Sequence, residues 1–85
     1  MTTTQRLARL ETAQEILGFL MASCAEKIYI ENKTPHPNVA KIAEWEAERK
    51  ALFDLEDGLR LNDQVTIDQV ISTYAPAAKA AFQTK

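Results

Sequence analysis

The stretch that decides the fold runs from Glu15 to Ile30 and reads EILGFLMASCAEKIYI. It contains no charge from Ile16 to Ala25, and its apolar residues lie on two stripes of a predicted helix. The main stripe has heptad spacing and comprises Leu7, Leu10, Gln14, Leu17, Met21, Cys24 and Ile28. The flanking stripe comprises Thr12, Ile16, Phe19, Ser23 and Ile30. A helix with two apolar stripes needs cover from two directions, so we expect two other surfaces to pack against it.

The sequence on either side divides the chain into three predicted helices. Their expected bounds are about 4–30, 38–59 and 66–83, separated by a loop at 31–37 and a turn at 60–65. Thr2 and Gln5 have the spacing of a capping box for helix one. Pro35 or Pro37 is expected in the first turn of helix two, because proline is tolerated there. Gly18 is expected to allow close approach of another backbone.

Helix three has a predicted start and a predicted interruption. Thr66 is expected to be its N-cap, with Gln69 completing a capping box and Val65 contacting Val70. Pro76 is expected to kink or interrupt the helix, because proline has no amide donor and crowds the preceding turn. No segment shows sustained two-residue alternation. The chain is therefore predicted to be all-α, with an antiparallel helical hairpin plus a third, Pro-kinked helix in one small domain.

Composition excludes several classes of function. The chain has 85 residues, 46% of them hydrophobic, and a formal net charge of −2, so nucleic acid and anionic membranes are not expected partners. Cys24 and His36 are the single residues of their types, too few for a disulfide or a zinc site. Glycine-rich phosphate loops, G-x-S-x-G and H-E-x-x-H are absent. We expect a cytoplasmic protein that is not an enzyme and needs neither cofactor nor metal.

Polar residues within apolar stripes indicate a candidate interface. Arg49 and Glu56 lie in the middle of the predicted apolar arc of helix two, where each needs a partner from another helix or chain unless its side chain reaches the edge of the stripe. Trp45 suits either an interface anchor or the core. Cys24 is expected to be an inert buried thiol. The candidate interface residues are Gln14, Ile16, Phe19, Trp45, Arg49, Phe53 and Glu56.

The sequence leads to three hypotheses about function. A chain this short buries only about 60–65% of its unfolded surface. We therefore predict a protein-interaction module (an adaptor, inhibitor or antitoxin-like modulator) that binds through helix faces, as a homodimer. The alternative is a helix-turn-helix regulator, although the expected recognition helix begins near Asp63 and Asp68 and lacks basic residues before Lys79. In the third, Met21–Cys24 ends a lipoprotein signal and Cys24 carries the lipid, although Glu11 and Glu15 precede the short apolar run.

Overall fold

The computed structural model describes residues 1–83 and contains three helices. They are α1 (Thr3–Asn32), α2 (Val39–Asp57) and α3 (Gln64–Gln83). Helix α1 packs against both of the others, and α2 runs back along it as the second arm of an antiparallel hairpin. Helix α3 begins beside Arg9 and ends beside Phe19, so it runs in the same direction as α1. The predicted all-α architecture is confirmed.

The first two helices begin at side chains that satisfy free backbone amides. The Thr2 hydroxyl accepts from the Gln5 amide at 3.1 Å, and the Gln5 side chain accepts from the Thr2 amide at 2.8 Å. This is the predicted capping box. Helix α2 begins after Asn38, whose side chain accepts from the Lys41 amide at 3.1 Å. Pro37 therefore precedes the cap, and the expectation of a proline in the first turn was wrong.

The loop between α1 and α2 is closed by Glu31. Its carboxylate accepts from the Asn38 amide at 3.0 Å, and its backbone carbonyl accepts from the Thr34 hydroxyl at 2.8 Å. One side chain at the end of α1 thus holds the first residue before α2. These contacts set the hairpin closure, and Pro35 and Pro37 prevent the helix from continuing through it.

Helix α3 differs from its prediction at its start and at its proline. Asp63 rather than Thr66 caps the helix, accepting from the Thr66 amide at 3.1 Å and from the Thr66 hydroxyl at 2.7 Å. These two hydrogen bonds lower the pKa of the Asp63 carboxyl. The helix then continues through Pro76, so the expected interruption does not occur.

Eight residues form the buried core. They are Ala13, Leu17, Leu20, Cys24, Leu52, Leu59, Ile67 and Val70. Of the four from α1, Leu17 and Cys24 belong to the predicted main stripe, whereas Ala13 and Leu20 lie between the two stripes, because α2 and α3 bury most deeply the strip that both contact. Ala13 and Leu20 belonged to neither predicted stripe, whereas Leu7 is 45% exposed.

The core occupies only part of the molecule. Every residue from Ala25 to Ala51 is exposed or half-buried, and we call this segment the hairpin tip. The radius of gyration is 14.8 Å, against about 12 Å expected for a compact domain of this length. In the described chain, no Cα atom of α2 lies within 8 Å of one in α3. The fold is therefore a long α1 with two partners, and only the hairpin extends past the core.

In addition to the shared core, an ion pair and a ring contact join α3 to α1. The Arg9 guanidinium forms an ion pair with Asp68, including an Nε–Oδ1 hydrogen bond of 3.0 Å. The Phe19 and Phe82 rings pack with centroids 6.1 Å apart. Helix α3 thus covers the middle of the flanking stripe, at Ile16 and Phe19, which explains why α1 is apolar on more than one side there, whereas Ile30 at the end of the stripe stays exposed.

Candidate interaction surface

A groove of about 640 Å³ lies between α1 and α2. Its lining residues are Met21, Ala22, Ala25, Glu46, Arg49, Lys50 and Phe53. On α1, helical spacing places the lining residues about 120° or more around the helix from Arg9, which pairs with Asp68 of α3. Phe53 is 57% exposed although it is aromatic. The groove thus combines a shallow floor of small residues, an exposed aromatic wall and a charged rim, on a face that α3 leaves uncovered.

The charged rim is only partly neutralised within the chain. Lys50 forms an ion pair with Asp54 at 3.1 Å, although the sequence favours a pair with Glu46 at the same spacing. Glu46 makes no ion pair or hydrogen bond within residues 1–83. Arg49 is exposed and likewise forms no ion pair with any residue of this range. One acidic and one basic side chain therefore remain available beside Phe53.

The four candidate interface residues on α2 lie in different environments. Arg49 and Phe53 line the groove. Arg49 is exposed and Glu56 is half-buried, so neither is the buried charge that the helical wheel indicated. Trp45 is half-buried and lies in the hairpin tip, outside the group of residues that pack against the core. The structure therefore brings together only Arg49 and Phe53.

The three candidates on α1 do not join that surface as a set. Ile16 packs against the core, and Phe19 contacts Phe82 of α3. Gln14 is exposed, whereas the heptad interpretation placed it within the main stripe. Ile16 and Phe19 thus have contacts inside the chain, and Gln14 lies at the edge of the apolar arc rather than in it.

Of the residues that line the groove, only Arg49 and Phe53 were predicted from the sequence. Ala22 and Ala25 attract little attention in a sequence because alanine is common in every part of a helix. The missed signal is spacing: Gly18, Ala22, Ala25 and Tyr29 recur at intervals of four, three and four residues. A Cβ atom placed on Gly18 meets no atom within 4 Å, so Gly18 does not allow close backbone approach as predicted. It lies on an open face.

The groups capable of covalent or metal chemistry are dispersed. Cys24 is 3% exposed, and this burial, followed by the neighbouring Glu48 carboxylate, raises the pKa of its thiol. The thiol is therefore protonated at neutral pH and a poor nucleophile. His36 is exposed in the loop. Across residues 1–83, no three His, Cys, Asp or Glu side chains are close enough together to hold a metal ion.

No protein family, curated protein or solved structure matches this chain. Among the helices described above, none has an apolar stretch of the length required to cross a lipid bilayer. The groove and the hairpin tip therefore provide the basis for a functional proposal.

Proposed function

We propose that this chain is a non-enzymatic protein-interaction module that binds a second copy of itself through its hairpin. The observation that carries this proposal is the absence of any buried residue from Ala25 to Ala51. Helices in water are held mainly by the burial of an apolar face rather than by their intrinsic propensity. Two helical segments that bury so little in the monomer gain stability when a second surface covers them.

The exposed side chains of the hairpin support this proposal. Tyr29 is 62% exposed, Ile30 57% and Val39 75%, in addition to Phe53 in the groove. Aromatic residues and arginine are the types most enriched among residues that dominate binding energy. The hairpin thus offers apolar anchors for affinity and the charges of Glu46 and Arg49 for selectivity.

The helix-turn-helix hypothesis receives less support. Its two helices normally pack against each other and present the start of the second helix to DNA. Here α2 and α3 stay more than 8 Å apart at every Cα pair of the described residues. Asp63 and Asp68 lie at the start of α3, and Asp68 already engages Arg9. Carboxylates at that position repel phosphate.

The lipoprotein hypothesis also conflicts with the packing. Cys24 is a core residue, and Ala13, Leu17 and Leu20 precede it in the same core. Signal cleavage before Cys24 would remove these three residues together with the part of α1 that packs against α3. A lipidated form would therefore need a different fold.

The mass of the full chain in solution tests the proposal. Light scattering after size-exclusion chromatography is expected to give a species of twice the 9.5 kDa chain mass, which dissociates on dilution. An electrophoretic mobility shift at low salt examines the DNA alternative on the same material. A 9.5 kDa species at every concentration up to about 1 mM, the upper end of weak specific binding, would contradict self-association.

A further inference from the structure

We propose that the second copy docks face to face on the groove in an antiparallel orientation, so that the two hairpins form a four-helix bundle. The two-fold axis lies perpendicular to the helices, level with residue 48 of α2 and midway between residues 23 and 24 of α1. This inference rests on the proposed self-association and specifies its surface and register. Three features support the proposal. They are the spacing of residues on the open face of α2, the spacing of residues on the open face of α1, and the common two-fold axis that the two spacings imply.

The open face of α2 has the spacing of a coiled-coil seam. Its members are Val39, Ala43, Glu46, Lys50, Phe53 and Asp57, at intervals that alternate between four and three residues. Glu46, Lys50 and Phe53 line the groove directly. Leu52, the buried residue of α2, lies outside this series and contacts the monomer core. Helix α2 thus has a second seam that the monomer does not use.

An antiparallel pairing about residue 48 makes the α2 seam complementary to itself. Glu46 then lies opposite Lys50 of the second copy, and the two-fold axis repeats the pair. Glu46 has no ion pair in the described chain, so its carboxylate is available for this contact. The same register places the exposed Phe53 ring opposite the small side chain of Ala43.

The open face of α1 has a seam with the same symmetry. Gly18, Ala22, Ala25 and Tyr29 are arranged symmetrically about the midpoint between residues 23 and 24. In an antiparallel pairing about that point, Tyr29 lies opposite Gly18 of the second copy, and Ala22 lies opposite Ala25. Gly18 has open space where a Cβ would be, which a facing tyrosine ring can fill.

The two seams share one axis because α1 and α2 are in register at its height. Residues within 21–25 of α1 and within 46–53 of α2 line the same groove, and the Glu48 carboxylate lies near the Cys24 thiol, so residue 24 of α1 and residue 48 of α2 lie at about the same level. A single rotation therefore satisfies the charge pair on α2 and the large-against-small contacts on both helices. Such agreement favours this register over the one whose axis lies midway between residues 49 and 50, in which Glu46 faces Phe53 and Lys50 faces Arg49.

The remainder of the fold is compatible with this docking. Antiparallel stacking places every helix of the bundle beside neighbours of opposite direction, the usual arrangement in up-down bundles. Arg9, which pairs with Asp68 of α3, lies about 120° or more around α1 from the groove residues, so the first part of α3 does not obstruct the second copy. Phe19, which contacts Phe82 at the end of α3, is one turn from Ala22, so the end of α3 borders the groove. Met21, half-buried at the groove wall, gains a second surface to pack against.

Charge reversal tests the Glu46–Lys50 contact. Either Glu46→Lys or Lys50→Glu alone places like charges opposite each other twice per dimer, so the dimer dissociation constant is expected to rise by roughly tenfold or more. The double variant E46K/K50E restores opposite charges and is expected to return the constant to within about threefold of the unmodified chain. The readout is sedimentation equilibrium of the full chain at moderate salt.

The matched control is the exposed pair Lys41 and Glu44 on another side of α2. Their side chains are 3.7 Å apart in an ion pair, and neither lies in the seam. The single reversals Lys41→Glu and Glu44→Lys are expected to leave the dimer dissociation constant unchanged. Circular dichroism at 222 nm on every variant confirms that the reversals leave helix content intact.

Cysteine pairing tests the register independently of charge. A mixture of the variants Ala43→Cys and Phe53→Cys is expected to give an oxidised cross-linked dimer, because these positions face each other. Each variant alone separates its two new thiols by about 15 Å along the helix, too far for a disulfide. Cys24 is buried and does not compete.

The outcomes separate this inference from the proposed function. One outcome is a dimer whose dissociation constant does not change with Glu46→Lys or Lys50→Glu and whose mixed cysteine variants do not cross-link. That outcome would leave the proposed self-association intact but would show that the groove is not the dimer interface. Cross-linking of Phe53→Cys with itself would show a different register and also overturn the inference. A chain that is monomeric without any substitution contradicts both proposals.

Discussion

At the scale of single residues, Gly18 shows how identity and environment can point in opposite directions. Glycine in a helix interior is destabilising, and sequence reasoning justified it by close packing. The structure shows open space around it instead. Within residues 1–83, Gly18 therefore carries the cost of glycine without a compensating contact.

Replacing Gly18 with alanine is expected to stabilise the isolated chain. Alanine has the higher helix propensity, and its Cβ meets no neighbouring atom, so the free energy of unfolding is expected to rise by about 0.5–1 kcal/mol. Urea denaturation at low protein concentration, where monomer dominates, measures this change. The free energy of unfolding of the Gly58→Ala variant, at the end of α2, serves as the comparison. If Gly18→Ala instead lowered the free energy of unfolding, the alanine Cβ would lack the open space described at residue 18.

The residues that were predictable are those whose role is decided locally. The Thr2–Gln5 capping box was read correctly because both partners lie within one turn. The exposure of Arg49 was not predicted correctly. It depends on where α1 and α3 lie around α2, rather than on the apolar neighbours of Arg49 in its own helix. Single-helix patterns define an apolar arc, and the packing partners decide which part of it is buried.

At the scale of elements, α3 shows that tertiary contacts can override a local breaker. Pro76 removes a backbone donor, yet residues on both sides of it stay helical. Val70 is buried before it, and Ala78 packs against the core after it, so both halves are held on one face. The start of α3 was misplaced for a related reason, since Asp63 competes with Thr66 as a cap and offers two hydrogen-bond acceptors.

Pro76→Ala is expected to stabilise α3. The substitution supplies the missing amide donor and removes the ring that crowds the preceding turn, so the free energy of unfolding is expected to rise by about 1–3 kcal/mol. Pro76 is exposed, and alanine leaves the core contacts in place. Chemical denaturation of the full chain measures the effect; unchanged or lower stability would show that the proline suits this backbone.

At the scale of the whole molecule, stability is distributed unevenly along α1. Its middle, from Ala13 to Cys24, is covered from two sides, whereas its last turns face only α2. The sequence predicted the three helices and the need for two covering surfaces. It did not predict that α2 and α3 cover different lengths of α1, because that depends on the direction of α3, which no local pattern encodes.

Hydrogen exchange is expected to reveal this gradient. In dilute solution, amides of residues 39–51 are expected to exchange roughly tenfold or more faster than those of residues 13–24, because little apolar surface is buried around them. Raising the protein concentration is expected to slow exchange in residues 39–51 selectively. Uniform protection along both helices at every concentration would contradict this distribution. Mass spectrometry of peptic fragments provides the measurement.

The same-direction packing of α3 on α1 has a consequence for the order in which the chain acquires its structure during synthesis. The hairpin can close once residue 57 has left the ribosome, but Asp68 and Phe82 reach Arg9 and Phe19 only after α3 has also emerged. Until then one flank of α1 is bare. A nascent chain paused in the α2–α3 connection therefore exposes Ile16 and Phe19, which makes this the stage at which chaperones would bind it.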